Sequence, residues 1–358
     1  MRSELKDARR IVVKLGTGVL TDNLKRPDPA QFEQLVAQVA ALRRQGRQVV
    51  VVTSGAVGAG MGILGFDRRP QEPGELQACA AVGQSRLMAT YESLFGRSGI
   101  AVGQVLLTHD DLRDQQRYEN SRSTLNTLLD RGIVPIINEN DAISFTEIKF
   151  GDNDKLSALV ACQIDAQLLV ILTTVDGVIE NYGRPEACVL PTIDRIDESV
   201  KSMAGGTTSA TAVGGMATKI EAARIVTLSG IPLVIASGRR ADVLARIVDG
   251  EVEGTLFLPL PNKLAERKRR IAFYRNARGS LLVDDGARTA LRENGRSLLA
   301  AGILQARGDF SAGDLVRICD RDGIEFARGL SALDGSKLRD VGRQVGVEVI
   351  HRDNLVLL

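Results

Sequence analysis

Five short runs of apolar, mostly β-branched residues alternate with amphipathic helical segments over the first two-thirds of the chain. Runs without a polar face are typical of strands that are buried on both sides of a sheet. The runs lie at residues 11–13, 49–52, 133–137, 168–172 and 233–236. This alternation predicts an α/β fold, in which an open, mainly parallel sheet carries helices on both faces.

A second domain is predicted after this pattern ends. The 358 residues exceed the usual size of one domain. Pro259 and Pro261 break the pattern, and a basic stretch follows at residues 263–270. Short strand-like segments with Gly and Asp turns come next and predict a small β-rich domain. We therefore expect a catalytic-type domain over 1–260, a basic linker over 261–272 and a β-rich domain over 273–358. The basic run is interpreted as a solvated linker or the start of a helix, and nucleic-acid binding is the alternative.

Composition excludes several classes of protein. The 46 basic and 44 acidic residues leave a net charge of +2, too weak for a chain built mainly to coat nucleic acid or anionic membrane. Two histidines argue against a histidine-rich metal site. The four cysteines lack a CxxC spacing and fit a reducing compartment, which predicts a cytoplasmic protein. The charged N-terminal segment predicts no signal peptide, and no apolar run is long enough to predict a membrane span.

Polar and glycine residues follow each of the five predicted strands. Ligands of open α/β sheets bind beyond the carboxyl ends of the strands. Any one of these segments is compatible with an ordinary turn, but five at one sheet edge favour a ligand site. The segments lie at residues 14–18, 53–56, 138–141, 173–177 and 237–238.

Two of the glycine-rich segments carry a lysine suited to binding phosphate. Lys14 follows a strand and precedes two glycines, which allow backbone N–H groups to approach phosphate oxygens. Gly214 and Gly215 precede a helical pattern that contains Lys219, and helix N-termini bind anions. For each segment, a flexible loop with a solvated lysine is the alternative. The acidic segment at 151–155 is equally compatible with a site and with a helix cap.

Other motifs point away from common chemistries. The sequence at 60–65 fits GxGxxG, but it lies well past its strand and closes a helix rather than opening one. We interpret it as a loose turn rather than a dinucleotide site. No P-loop pattern occurs. Serine hydrolase chemistry lacks a plausible histidine.

Several segments, taken together and in order, resemble the amino-acid kinase family and, within it, the glutamate 5-kinases. These segments are IVVKLGTGVL, VVVTSGAVGAG, VGQSRL, PIINENDA, GDND and GGMATK. Near the C-terminus, GDFSAGDLVRI and FARGLS resemble a PUA domain. The resemblance covers nearly the whole chain.

The resemblance implies ATP-dependent phosphorylation of the L-glutamate side-chain carboxylate, with Mg²⁺ accompanying the nucleotide. It implies a homo-oligomer, a dimer or tetramer, that is inhibited by proline. Lys14, Lys219 and Asp154 would be catalytic, with Asp154 orienting the lysines. Ser54, Asp141 and Asn153 would bind glutamate. The nucleotide would contact Lys14, Thr173, Thr174, Val213, Gly214, Gly215, Met216, Ala217, Thr218 and Lys219.

The chain departs from the family pattern near the predicted nucleotide site. Thr174 stands where an acidic residue is common, Val178 and Ile179 replace Leu-Tyr, and Gly18 stands where serine is frequent. Two other functions remain open: a related kinase with another carboxylate or carbamate substrate, and RNA binding through the PUA-like segment. Residues 271–358 hold 13 basic and 12 acidic side chains, which argues against a strongly basic RNA-binding face.

Overall fold

The computed structural model describes residues 2–22, 26–143, 153–203, 215–261, 263–341 and 344–358, with the side chains of 339–341 excepted. The chain divides into two compact units, Met1–Lys263 and Leu264–Leu358. No helix within these described ranges is long and apolar enough to cross a membrane.

The first unit is built on a mainly parallel sheet. Its strands are β1 (Arg10–Leu15), β2 (Gln48–Val52), β3 (Val102–Leu107), β4 (Val134–Glu139), β5 (Leu168–Thr173), β6 (Ile179–Glu180), β7 (Cys188–Val189), β8 (Thr192–Ile193), β9 (Leu233–Ser237) and β10 (Thr255–Phe257). Within the described residues, eight of them form one sheet in the order β3, β4, β2, β1, β5, β9, β10, β8. All neighbours from β3 to β9 are parallel, whereas β10 runs antiparallel to β9. The predicted open, mainly parallel α/β fold is confirmed.

Helices connect these strands. Those of the first unit are α1 (Thr17–Leu20), α2 (Pro29–Arg44), α3 (Ala56–Leu64), α4 (Pro73–Gly96), α5 (His109–Arg113), α6 (Gln115–Asp130), α7 (Asp154–Gln163), α8 (Glu198–Met203), α9 (Met216–Leu228) and α10 (Val243–Val248). A 3-10 turn precedes β1 at Arg2–Asp7. Local sequence sets some of these limits directly. Asp28 caps α2 by accepting a hydrogen bond from the Gln31 N–H at 3.2 Å, and Gly46 follows the helix with φ +80°.

Strand alternation sends the side chains of β1 to opposite faces of the sheet. Ile11, Val13 and Leu15 join the apolar core that residues of α2, α4 and α10 share. Lys14 points to the other face, where it pairs with Asp154 of α7. Asp154 also pairs with Lys219 of α9. A period of two along one strand therefore separates the core from the polar cluster.

The GxGxxG stretch closes a helix, as we expected, but it is not a loose turn. Residues 60–64 lie inside α3, and only Gly65, with φ +75°, ends the helix. A Cβ atom on Gly60 would lie 1.8 Å from the Cys79 carbonyl oxygen of α4. Glycine at position 60 thus allows the backbones of α3 and α4 to come into contact. The sequence pattern alone does not reveal this close packing.

The second unit is β-rich, as predicted. Its elements are α11 (Glu266–Arg269), β11 (Gly279–Val283), α12 (Asp285–Asn294), β12 (Leu298–Leu299), β13 (Ile303–Gly308), β14 (Leu315–Cys319), β15 (Glu325–Leu330), α13 (Gly335–Val341), β16 (Glu348–Ile350) and β17 (Leu355–Leu357). A five-stranded sheet has the order β13, β11, β14, β15, β17. It packs its own apolar core, which includes Leu281, Phe310 and Phe326.

Of the two interpretations of the basic stretch, solvated linker or start of a helix, the structure shows the helix, which begins at Glu266. After α11, a π-helical turn spans Arg270–Tyr274, and Ile271 and Phe273 within it are buried. The Ala272 carbonyl oxygen accepts a hydrogen bond from Arg328 of β15 at 2.7 Å. The run of residues after Arg270 is therefore buried, and a hydrogen bond joins it to β15.

Candidate active site

A buried carboxylate at the edge of the large sheet holds two lysines. The Asp154 side chain has no exposed surface, and one of its oxygens lies 2.6 Å from Lys14 Nζ. Its other oxygen lies 3.0 Å from Lys219 Nζ and also accepts a hydrogen bond from the Thr218 hydroxyl at 3.0 Å. The two lysine side chains are only 4% and 8% exposed. The structure thus brings together the three side chains that were predicted to be catalytic.

Three different elements deliver these side chains. Lys14 lies near the carboxyl end of β1, Asp154 is the first residue of α7, and Lys219 lies in the first turn of α9. A negatively charged side chain at a helix N-terminus is favoured by the helix dipole. Thr218 and Lys219, which both contact Asp154, place the N-terminus of α9 beside the same cluster, and a helix N-terminus is suited to binding an anion.

A chain of buried amides lies at the ends of β2 and β4. The Asn153 amide nitrogen donates to the Thr53 carbonyl oxygen at 2.6 Å and to Asn138 Oδ1 at 2.7 Å, and it lies 3.4 Å from the Ser54 hydroxyl. Asn138 in turn donates to Gln84 Oε1 of α4 at 2.8 Å. Although Asn153 occupies the N-cap position of α7, its side chain makes no capping bond. The Asn153 side chain therefore does not cap α7, although the helix-cap alternative for residues 151–155 allowed for that role.

Sequence reasoning missed the support behind Ser54. Thr53 Oγ1 and the Tyr91 hydroxyl are 2.7 Å apart, and Tyr91 is fully buried between Phe32 and Phe95. Burial raises the pKa of Tyr91, so its hydroxyl stays neutral at physiological pH. No motif marks Tyr91 or Gln84 as part of the site. The only available signal was the presence of polar groups in the otherwise apolar face of α4.

The other predicted residues border this cluster. Asp141 lies in the turn after β4 and is partly exposed. Thr173 ends β5, and Thr174 follows it at the surface. Gly215 caps α9, whose first turn contains Met216, Ala217 and Thr218. Val213 and Gly214, like Asp152, lie outside the described residues.

The end of β5 lies beside the segment that follows β1. The Gly16 N–H donates to the Leu172 carbonyl oxygen at 3.1 Å. A Cβ atom on Gly18 would lie 2.9 Å from Thr174 Cγ2. Glycine therefore keeps the loop after Lys14 close to the predicted nucleotide edge.

This geometry can bind and neutralise an anion between two buried ammonium groups. The cluster of Lys14, Asp154 and Lys219 carries one net positive charge, and glycine-flanked backbone lies beside it. Its chemistry suits transfer of a phosphoryl group, which depends on positioning and charge neutralisation rather than on a covalent protein intermediate.

Comparison with known proteins agrees with this chemistry. Residues 9–237 match the amino acid kinase family. The chain belongs to this family. Residues 279–352 match the PUA domain, so the β-rich unit is also accounted for. The resemblance predicted from the sequence motifs is confirmed.

Relatives that align over their full length share one name, glutamate 5-kinase. The chain is 47% identical to the glutamate 5-kinase of Geobacter sp. strain M21, with both proteins covered completely. It is 46% identical to the glutamate 5-kinase of Methylococcus capsulatus, with 99% of each chain covered. Among solved structures, a carbamate kinase from Giardia lamblia bound to AMP-PNP has a TM-score of 0.51 at 19% identity, covering 71% of this chain and all of the other. The first unit therefore shares its fold with this kinase although few residues are identical.

Proposed function

We propose that this protein transfers the γ-phosphoryl group of ATP to the side-chain carboxylate of L-glutamate. The product would be L-glutamyl 5-phosphate, in the first step towards proline. One observation carries the proposal: a buried Lys14–Asp154–Lys219 cluster lies at the sheet edge of a chain that aligns end to end with glutamate 5-kinases.

In this proposal, the two lysines neutralise the charge that moves during transfer. A carboxylate oxygen of glutamate attacks the γ-phosphorus, the bond from that phosphorus to the β,γ-bridging oxygen breaks, and ADP leaves with the electron pair. The attacking carboxylate is already ionised near neutral pH, so no general base is required. Lys14 and Lys219 stabilise the transferring group and the leaving oxygen electrostatically. Asp154 keeps both ammonium groups at one place because each of its oxygens binds one of them.

We place glutamate at the carboxyl ends of β2 and β4. Ser54 and Asn153 present hydroxyl and amide groups there, 3.4 Å from each other. The contacts of Asn153 with Thr53 and Asn138 fix its orientation before substrate binds. Asp141, in the adjacent turn, would contact the substrate ammonium directly or through one water.

We place ATP at the ends of β5 and α9. Thr173, Thr174 and residues 213–219 would line this site, with phosphates directed at the helix N-terminus. In the part of the chain that the structure describes, no three acidic, histidine or cysteine side chains are grouped as metal ligands. We propose that Mg²⁺ enters with the nucleotide, because this ion keeps phosphate oxygens and waters as ligands. When bound, it would neutralise phosphate charge.

The substrate is tested by measuring ADP formation from ATP with four acceptors in parallel: L-glutamate, L-aspartate, N-acetylglutamate and carbamate. Glutamate should give a kcat/KM at least about 10²-fold above the others, since a site with unpaired buried polar groups rejects the wrong substrate strongly. Preference for another acceptor would assign the chain to a different branch of the family. Absence of turnover with all four would reject the kinase proposal.

Asp141 tests how the amino group is recognised. Asp141→Asn should raise the glutamate KM strongly and leave the ATP KM nearly unchanged, because only the substrate ammonium loses its ionic partner. Wild-type enzyme should disfavour N-acetylglutamate on the order of 10²-fold, since acetylation removes the positive charge. Comparable wild-type use of both substrates would contradict the ammonium contact. A loss of about 1 kcal/mol in stability without a change in KM would instead identify a capping aspartate.

We further propose a cytoplasmic homo-oligomer that is inhibited by proline. The family resemblance supports the oligomer and the inhibition, and the four cysteines, none of which is in a disulfide, fit a reducing compartment. Initial rates with increasing L-proline at fixed glutamate test the inhibition, and light scattering of the purified protein measures its oligomeric state. Rates independent of proline, or a monomeric mass, would contradict the respective proposal.

A further inference from the structure

The turn after β9 is fixed to two neighbouring elements. The Gly238 N–H donates to the Thr173 carbonyl oxygen of β5 at 2.9 Å. The Gly238 carbonyl oxygen accepts a buried hydrogen bond from the Gln31 side chain of α2 at 2.7 Å. The backbone at this turn is therefore held between the end of β5, where the nucleotide is predicted to bind, and the first turn of α2.

From this fixed turn, Arg239 reaches the connection between β1 and α2. Its guanidinium donates to the Gly18 carbonyl oxygen at 3.1 Å and to the Thr21 carbonyl oxygen. It also lies 3.4 Å from the carboxylate of Asp28, the residue that caps α2. One side chain thus contacts α1, the residue that follows α1 and the residue that caps α2.

The hydrogen-bond geometry suits an arginine better than a lysine. A guanidinium offers several N–H donors in a rigid plane and can serve two carbonyls and a carboxylate together, whereas an ammonium is a point charge on a flexible stem. The Arg239 side chain is 40% exposed, so the ion pair with Asp28 by itself adds little stability. The hydrogen bonds to the Gly18 and Thr21 carbonyl oxygens are the contacts that bear on residues 16–22.

We infer that Arg239 is a positioning residue for phosphoryl transfer. It holds residues 16–22, the segment after β1 that contains α1, in the conformation that receives the ATP phosphates. This inference rests on the proposed function. Arg239 acts through the Gly18 and Thr21 carbonyls, not by contact with the reacting atoms. Loss of the guanidinium should loosen residues 16–22 while the lysines keep their partner Asp154, and small displacements of a positioned group are costly in rate.

The test compares Arg239→Ala with wild type and with Arg97→Ala. Arg97, which directly follows α4, is a suitable control because it is also exposed and pairs with the carboxylate of Glu33 in α2. Arg239→Ala should raise the ATP KM and lower kcat, each by about tenfold, within the range expected for lost orientation. The glutamate KM should stay within about twofold of wild type. Arg239→Lys should lie between Ala and wild type, and Arg97→Ala should behave as wild type.

A second measurement does not depend on activity. Hydrogen exchange followed by mass spectrometry should show faster exchange of amides within residues 16–22 in Arg239→Ala, and unchanged exchange in β5 and α9. If the variant fails to fold, Arg239→Gln, which retains one N–H₂ donor, is measured instead with the same expectation. Unchanged exchange together with unchanged ATP kinetics would overturn the inference. Reduced kcat with unchanged exchange would overturn it too, because Arg239 would then touch the phosphate itself.

Failure of the kinase proposal is distinguishable from failure of this inference. Wild-type protein that forms no ADP with glutamate would reject the proposed function, while the exchange experiment would still report whether Arg239 holds the loop. Active wild type with an unaffected Arg239→Ala variant would reject the positioning role alone.

Discussion

At the scale of single residues, Asp154 is the shared ionic partner of both lysines in the site. A buried carboxylate or ammonium is costly unless it is paired, and here one aspartate serves two lysines and a threonine hydroxyl. The shared partner leaves the cluster one positive charge in excess, which favours an anion beside it. The same three residues therefore satisfy the requirements of burial and of phosphate binding.

Lys219→Ala should lower kcat by about 10² or more, as expected when a preorganised charge contact to the transition state is lost. Glutamate binding should change little, because Lys219 contacts Asp154 rather than Ser54 or Asn153. Steady-state rates measure this, with Lys201→Ala as the control, since Lys201 is an exposed lysine paired with Glu198. Near-normal turnover of Lys219→Ala would show that this lysine is only structural.

Gly18 and Thr174 should be energetically coupled. A side chain on Gly18 would begin 2.9 Å from Thr174 Cγ2, so Gly18→Ser must displace Thr174 or the loop. We expect Gly18→Ser to raise the ATP KM, and Thr174→Ser, which removes the methyl group, to relieve this effect. A double-mutant cycle on ATP affinity should give a coupling of at least about 0.5 kcal/mol. Additive effects would mean that the two positions are independent.

At the scale of elements, the packing of α3 on α4 supports the substrate end of the site. Ser54 precedes α3, and Gln84 of α4 accepts the hydrogen bond from Asn138. Gly83 of α4 meets the first residue of α3 so closely that a Cβ atom there would lie 1.8 Å from the Ala56 carbonyl oxygen. The distance between these helices thus depends on residues without side chains.

Gly83→Ala should destabilise the protein by about 1–3 kcal/mol, because the added methyl group forces two helix backbones apart. Gly62→Ala is the matched control, since Gly62 lies inside α3 with nothing within 4 Å of its Cβ position. Alanine there should be neutral or stabilise by about 0.5–1 kcal/mol. Urea unfolding of both variants measures the difference. Equal stabilities would contradict the close crossing.

At the scale of the whole molecule, each unit has a core of its own. The core of the first unit includes Val13, Phe32 and Tyr91, and that of the second includes Leu281 and Phe326. Separate cores are the physical basis for independent folding of domains. The site residues named above all belong to the first unit.

A chain that ends near residue 262 should therefore fold and retain kinase activity. Its response to proline or its oligomeric state is expected to change, since these are the properties most readily altered by loss of an appended domain. Circular dichroism, kcat with glutamate and light scattering test this. A truncated protein that is folded but inactive would show that the second unit helps to build the site.

The sequence determined the class of fold, five of the strands, the capped start of α2 and the two lysines of the cluster. These follow from local rules: apolar runs form buried strands, Asp28 before Pro29 starts a helix, and glycines beside lysine favour phosphate. Motif order added the family and, with it, the expected role of Asp154, which composition and spacing alone could not supply.

Tertiary structure alone decided how residues distant in sequence meet. The pairing of Lys14 and Lys219 through Asp154, the Asn153–Asn138–Gln84 chain and the reach of Arg239 to Gly18 each join residues at least 15 positions apart. It also showed that Gly60 lies against the backbone of α4, and it decided that the basic stretch forms a helix from Glu266 onward rather than a solvated linker. Local patterns encode the period and limits of an element, but they do not encode which face of it meets another. That choice is made when helices and strands bury their apolar surface together, and it places these polar groups within hydrogen-bonding distance.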